Sequence, residues 1–133
     1  MQSKRSGWTI VEVLVVTVII GILVSFAIPS YLRSIERSQC SHAMATLRTI
    51  RQAELSYFTA NQTYSLGDFV ALGLIVGADL GNLDDNQWTY TFTATNPADF
   101  TVQANRLGGA HGGTVITLNE LDVWGGTYPV DNP

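Results

Sequence analysis

Trp8-Thr9-Ile10-Val11-Glu12-Val13-Leu14-Val15-Val16-Thr17-Val18-Ile19-Ile20-Gly21-Ile22-Leu23-Val24-Ser25-Phe26-Ala27-Ile28 is a run of 21 residues with a single ionisable group, Glu12, preceded by Lys4 and Arg5. At about 1.5 Å per residue a helix of that length reaches roughly 31 Å, matching the ~30 Å hydrocarbon layer of a bilayer. The segment is predicted to cross a membrane. The basic pair before it puts residues 1–7 in the cytoplasm and the residues after Ser30 on the other side. The glutamate is the anomaly, because a carboxylate near the middle of a span costs about 2.5–3.5 kcal/mol on insertion scales, and intramembrane acids usually have a partner. Glu12 asks for a cation.

Two other readings fit part of this segment. A secretory signal, cut after Ala27 behind the small-x-small triplet Ser25-Phe26-Ala27, would release a soluble binding domain, but its apolar region normally runs about 7–15 residues without an acid. A plain single-span anchor accounts for the length and leaves Glu12 unexplained.

The surrounding composition narrows the function. Of 133 residues, 46% are apolar and 14% charged, so disorder is excluded. With a net charge of −4 and Lys4 as the only lysine, the chain has no basic stripe to neutralise phosphates, and nucleic acid is not expected as a partner of the isolated subunit. Cys40 is the one cysteine, so no internal disulfide can form, and no Cys/His cluster is spaced for zinc. His42 and His111 are far apart, and the glycine run Gly108-Gly109-Ala110-His111-Gly112-Gly113 lacks the lysine of a phosphate loop. The chain is not expected to be an enzyme, and no cofactor is expected.

Ser6-Gly7-Trp8-Thr9-Ile10-Val11-Glu12-Val13, the apolar run with Gly21 inside it, and Pro29-Ser30-Tyr31 together resemble the N-terminus of type IV pilins and of the related type II secretion pseudopilins. The resemblance covers the first third of the chain and implies three segments. Residues 1–7 would be a leader, 8–29 a transmembrane and filament-core helix, and 30–133 the globular domain. It implies that a prepilin peptidase cuts after Gly7 and methylates the new amine of Trp8, where the family usually has phenylalanine. It implies inner-membrane assembly machinery, storage in the bacterial inner membrane, and then a homopolymer of copies of this chain outside the cell. A periplasmic pseudopilus is the alternative. The physical chemistry agrees, since cleavage removes Lys4 and Arg5 and creates at Trp8 the cation that Glu12 of a neighbour needs. The same amine lies one turn from its own Glu12, with the Thr9 hydroxyl as a further donor. The competing reading makes Glu12 merely a first-turn acid favoured by the helix dipole.

Beyond the span, Ala43, Leu47, Ile50, Ala53 and Tyr57 recur every three or four residues, with Arg33, Glu36, Arg37, Arg48, Arg51 and Glu54 assigned to other faces. The helix is predicted from Trp8 to about Phe58, roughly 75 Å at 1.5 Å per residue, with Gly21 and Pro29 as its bend points. Residues 59–87 read as a glycine-rich loop holding a short helix at Leu66 to Ile75. Asp84-Asp85-Asn86 offer oxygen ligands of the kind calcium takes, and pseudopilins use calcium near such loops, but the spacing matches no EF-hand and solvated acids are the expectation. From Trp88 the period becomes two. Trp88, Tyr90, Phe92 and Ala94 alternate with threonines, Asn96-Pro97-Ala98-Asp99 turns the chain, Phe100, Val102 and Ala104 return, and Val115 to Leu118 follows, with Leu121 to Trp124 as a short fourth strand. The fold class is therefore α+β: a long N-terminal helix whose second half packs on an antiparallel sheet of three or four strands, as the resemblance also implies. Charge is segregated, with four arginines against two glutamates from Arg33 to Glu54 and a largely acidic remainder. Such patches can meet on neighbouring copies and propagate a filament.

Overall fold

A computed structural model of the chain describes residues 7–65, 70, 72–73, 83, 86–96, 99–109 and 111–128. Helix α1 (Ile10–Asn61) is followed by strands β1 (Trp88–Asn96), β2 (Asp99–Arg106), β3 (Val115–Asn119) and β4 (Trp124–Gly126). The chain divides into two compact units, Met1–Glu36 and Arg37–Pro133.

In the first unit the helical side chains from Ile10 to Ser34 are all exposed, and the apolar residues between Trp8 and Leu32 have nothing to bury against. By length and composition this helix can cross a membrane. In the second unit α1 buries Cys40, Ala43, Leu47, Ile50, Ala53 and Glu54, a stripe at intervals of three and four. That stripe meets Trp88 and Tyr90 of β1, Phe100, Val102 and Ala104 of β2, and Ile116 and Leu118 of β3 in one core. Each fully buried aliphatic side chain there contributes about 1.5–3 kcal/mol. The helix-on-sheet architecture expected from the sequence is what the chain adopts.

The sheet is an antiparallel meander in the order β1-β2-β3-β4. Trp88 pairs with Arg106 and Phe92 with Val102, and the register slips by one residue between Thr93 and Asn96, a bulge before the turn. The glycine run after β2 is a turn, as expected: Gly109 and Gly113 both take φ of 81°, and Gly113 N–H donates to the Arg106 carbonyl at 2.8 Å. Strand β4 lies three residues later than expected. Asn119 Oδ1 accepts from the N–H groups of Leu121 (3.1 Å) and Val123 (2.8 Å), and Asp122 takes a φ of 66°, so residues 120–123 are consumed by a side-chain-closed turn and pairing resumes at Trp124.

Two charged residues expected on solvent-facing sides are elsewhere. Glu54 is fully buried and accepts from the N–H (2.9 Å) and hydroxyl of Ser65, because position 54 continues the Leu47–Ile50 stripe and ties down the chain just after the helix. Arg51 is half-buried and donates through Nε (3.2 Å) and Nη2 (2.9 Å) to the Glu120 carbonyl, with Asp122 4.0 Å from Nη1. Cys40 is also buried, packing as a small apolar residue. The expected helix at Leu66 to Ile75 is seen at Val70, Leu72 and Gly73, which are helical; its other residues lie outside the described ones, as do Asp84 and Asp85.

Because the core lies within Arg37–Pro133, a fragment starting at Ser30 is expected to be a soluble, folded monomer. Size-exclusion chromatography and a cooperative thermal melt check this. Aggregation of every such fragment would mean that the α1 stripe does not cover the sheet.

Candidate functional site

The features with no role in the core gather at the start of α1. Thr9 is the N-cap: its Oγ1 accepts from the Glu12 N–H at 3.2 Å, and its carbonyl accepts from the Val13 N–H at 3.2 Å. Thr9 and Glu12 thus stand in the Thr-x-x-Glu spacing of a capping box, with the acid in the first turn where the helix dipole favours it. The Thr9 hydroxyl oxygen accepts this cap bond, which does not use its O–H hydrogen. The spacing itself was the missed signal. The cap lies two residues past Gly7, so a chain beginning at Trp8 keeps its helix start intact.

Gly7 and Gly21 share a property. Neither takes a positive φ, and beyond the chain neighbours and the helix's own backbone no described atom lies within 4 Å of where a Cβ would stand at either. Among the described residues nothing requires glycine at these positions. Along the span the polar groups are satisfied locally: Thr17 Oγ1 donates to the Leu14 carbonyl and Ser25 Oγ to the Gly21 carbonyl, both at 2.8 Å. Thr17, Gly21 and Ser25, four residues apart, form one face of small side chains whose hydroxyls turn back on the helix, which removes the cost of placing them in hydrocarbon. Pro29 sits inside α1 and has no N–H for the Ser25 carbonyl, so one rung of the helical ladder is missing there.

His42 is exposed on α1, and His111 lies edge-on to Tyr128 with ring centroids 5.1 Å apart. Among the described residues no three His, Cys, Asp or Glu side chains gather around a point that a metal ion could fill. The Tyr64 phenol is pushed up from its ordinary value, first by desolvation and then by the carboxylates of Glu120, Glu54 and Asp99, against the opposing effect of Arg51. That end of the unit is acidic.

Residues 29–114 match the family described as "Type IV minor pilin ComP, DNA uptake sequence receptor". The chain is 33% identical over 122 residues to the type IV major fimbrial protein FimA of Dichelobacter nodosus, covering 89% of this chain and 74% of FimA. It is 36% identical over 64 residues to the type IV major pilin protein PilA of Myxococcus xanthus strain DK1622, covering 48% of this chain and 29% of PilA. The crystal structure of the non-core minor pilin PilV of Neisseria meningitidis superposes with a TM-score of 0.53 at 20% identity, over 71% of this chain and 89% of that one, and shows the same fold. These relatives do not favour a secretion pseudopilin or a signal-cleaved soluble domain. An exposed apolar helix long enough to span a bilayer, a helix-on-meander globular unit, and the match to pilins over most of the chain's length place this protein in the type IV pilin family, as a subunit of a pilus.

Proposed function

We propose that the chain is stored in the bacterial inner membrane as a precursor, cut after Gly7 by a prepilin peptidase, methylated at Trp8, and drawn by the inner-membrane assembly machinery into an extracellular homopolymer. In that polymer the Glu12 carboxylate of one copy pairs with the Trp8 amine of a neighbour, and Gly21 and Pro29 are the points where the helix yields as copies pack. The work is structural and involves no catalysis. The observation that carries the reading is Gly7: the fold has open space there and no backbone need for glycine, so its small size serves something that acts on the chain from outside. The DNA reception named for the matched family is not extended to this chain. Its net charge is −4, Arg106 is buried and Arg51 is engaged by the turn it binds.

Gly7→Val tests this away from the globular core, since an added Cβ there meets no described atom within 4 Å. The expected result is a full-length, membrane-bound protein with no mature form. Mass spectrometry of the parent should give an N-terminus at Trp8 bearing one extra methyl. A variant still cut before Trp8 and assembling normally would overturn the leader assignment, and an N-terminus at Ile28 would make the segment a secretory signal.

A further inference from the structure

Where the apolar run ends, the side chains of α1 change character within two turns. Phe26, Ser30 and Arg33 follow one another at intervals of four and three residues, so they share one face of the helix, with about 5–6 Å between successive Cβ atoms. All three are exposed, Phe26 at 76%. The Arg33 side chain runs back along the helix, as long helical side chains do, and its Nε donates to the Pro29 carbonyl at 3.3 Å. That bond draws the guanidinium down to the end of the span while using one of its five N–H groups. Among the described residues Arg33 has no other partner and pairs with no carboxylate, which leaves the Nη1–Nη2 edge with four donors unused.

Ser30 completes the pattern. Inside the span the hydroxyls of Thr17 and Ser25 are turned back onto carbonyls of the preceding turn, as hydrocarbon demands. Ser30 carries the first hydroxyl beyond them, and it makes no hydrogen bond among the described residues. Tyr31, 67% exposed, adds an amphipathic ring of the kind that sits at headgroup level. A guanidinium edge with a hydroxyl one turn away suits a phosphate, and the Phe26 ring, one turn deeper, offers apolar surface beside it. A free phosphate would use the first two groups only. A phospholipid uses all three.

We infer that Phe26, Ser30 and Arg33 bind an anionic phospholipid of the leaflet away from the cytoplasm, its phosphate held by the Arg33 fork and the Ser30 hydroxyl and an acyl chain laid along Phe26. The inference rests on the membrane-span reading and gives the span a fixed depth. From Pro29 back to Trp8 the helix covers roughly 31 Å, so a grip on headgroups at one surface holds the Gly7–Trp8 bond at the other.

The test uses the full-length chain carrying Lys4→Gln and Arg5→Gln, so that the leader cations contribute nothing, in nanodiscs of equal parts phosphatidylglycerol and phosphatidylcholine. Native mass spectrometry of the released chain is expected to show phosphatidylglycerol retained about fivefold over phosphatidylcholine, and Arg33→Gln to lower that retention about fivefold. Ser30→Ala is expected to lower it about twofold. Glutamine is a good helix former at an exposed position, so helix content by circular dichroism stays at the parental level. Moving the charge to the neighbouring face, with Arg33→Gln and Ser34→Arg together, is expected not to restore the lipid. Equal retention of the two lipids, no loss in Arg33→Gln or in Ser30→Ala, or full recovery in the moved-charge chain overturns the site. Displacement of the lipid by millimolar inorganic phosphate also overturns it, because the acyl contact would then hold nothing. A chain that inserts and shows no preference rejects the site and leaves the span standing, whereas a chain that does not enter the discs counts against both.

Discussion

Glu12→Ala is expected to be processed after Gly7 and to enter the membrane as well as the parent, yet to yield few or no filaments. The carboxylate makes no contribution to the core of the globular unit, and the cap that starts the helix uses the Glu12 backbone N–H, not its side chain, so helix and fold survive the change. On the proposed assembly, what is lost is the partner of the Trp8 ammonium in a water-poor helix bundle. Removing one member of a buried ion pair costs on the order of 3–5 kcal/mol, because the remaining charge is left without compensation. The loss recurs at every subunit added. Glu12→Gln keeps the shape and the first-turn hydrogen bonding but not the charge, and is expected to assemble little better. The measurement is sheared filament against membrane-bound subunit by immunoblot. Equal filament yield at equal subunit level would reduce Glu12 to an acid that answers the helix dipole.

Gly126→Ala is expected to be the most damaging single-methyl substitution at the described glycines of the globular unit. Gly126 takes a φ of 110°, which side chains other than hydrogen rarely adopt, and an added Cβ would lie 2.2 Å from the Val115 carbonyl oxygen and 2.9 Å from its carbon. That same oxygen accepts from the N–H groups of Thr127 and Tyr128, both at 2.9 Å. Relieving the clash means lifting β4 away from β3, which loosens Tyr128, a buried ring packed 5.3 Å from Trp88. Backbone strain of about 1–3 kcal/mol and two weakened hydrogen bonds at about 1 kcal/mol each give a loss on the order of 3 kcal/mol. In the fragment from Ser30 that corresponds to roughly 12–24 °C in Tm. Gly108→Ala is the control, since open space surrounds its position and φ is not positive. A Gly126→Ala melt within a few degrees of the parent would show that β4 shifts freely.

Where one physical rule dominated, the sequence was legible. Threonine alternating with aromatic residues from Trp88 to Thr93 has one explanation, a half-buried strand, and the structure buries Trp88 and Tyr90 on that period. The Ala43–Leu47–Ile50 stripe was equally direct. Failures came where two rules competed. Glu54 fell on the apolar stripe by spacing but was assigned outward by charge; spacing won, because Ser65 satisfies the carboxylate in the interior. Leu121 to Trp124 has strand composition, yet Asn119 and Asp122 form a turn that removes its first three residues from the ladder. No local pattern around Arg106 marks it as buried, and only the tertiary contact with Gln39 shows it as the brace between helix and sheet. Gly7 is a different case, because the described residues place no packing or backbone demand on it, so its role is read from the resemblance together with the open space around it.

The meander order also bears on how quickly the globular unit organises. Each strand pairs with the one next to it in sequence, so no strand must find a partner across an intervening strand. The ties from sheet to helix are of another kind: Arg106 to Gln39 spans 67 residues and Arg51 to the Glu120 carbonyl spans 69. Loop-closure entropy grows only with the logarithm of loop length, but contacts of high sequence separation are the ones that slow two-state folding. Among the described residues these distant ties join one helix to one locally paired sheet, so the cost of long-range closure falls on docking the two.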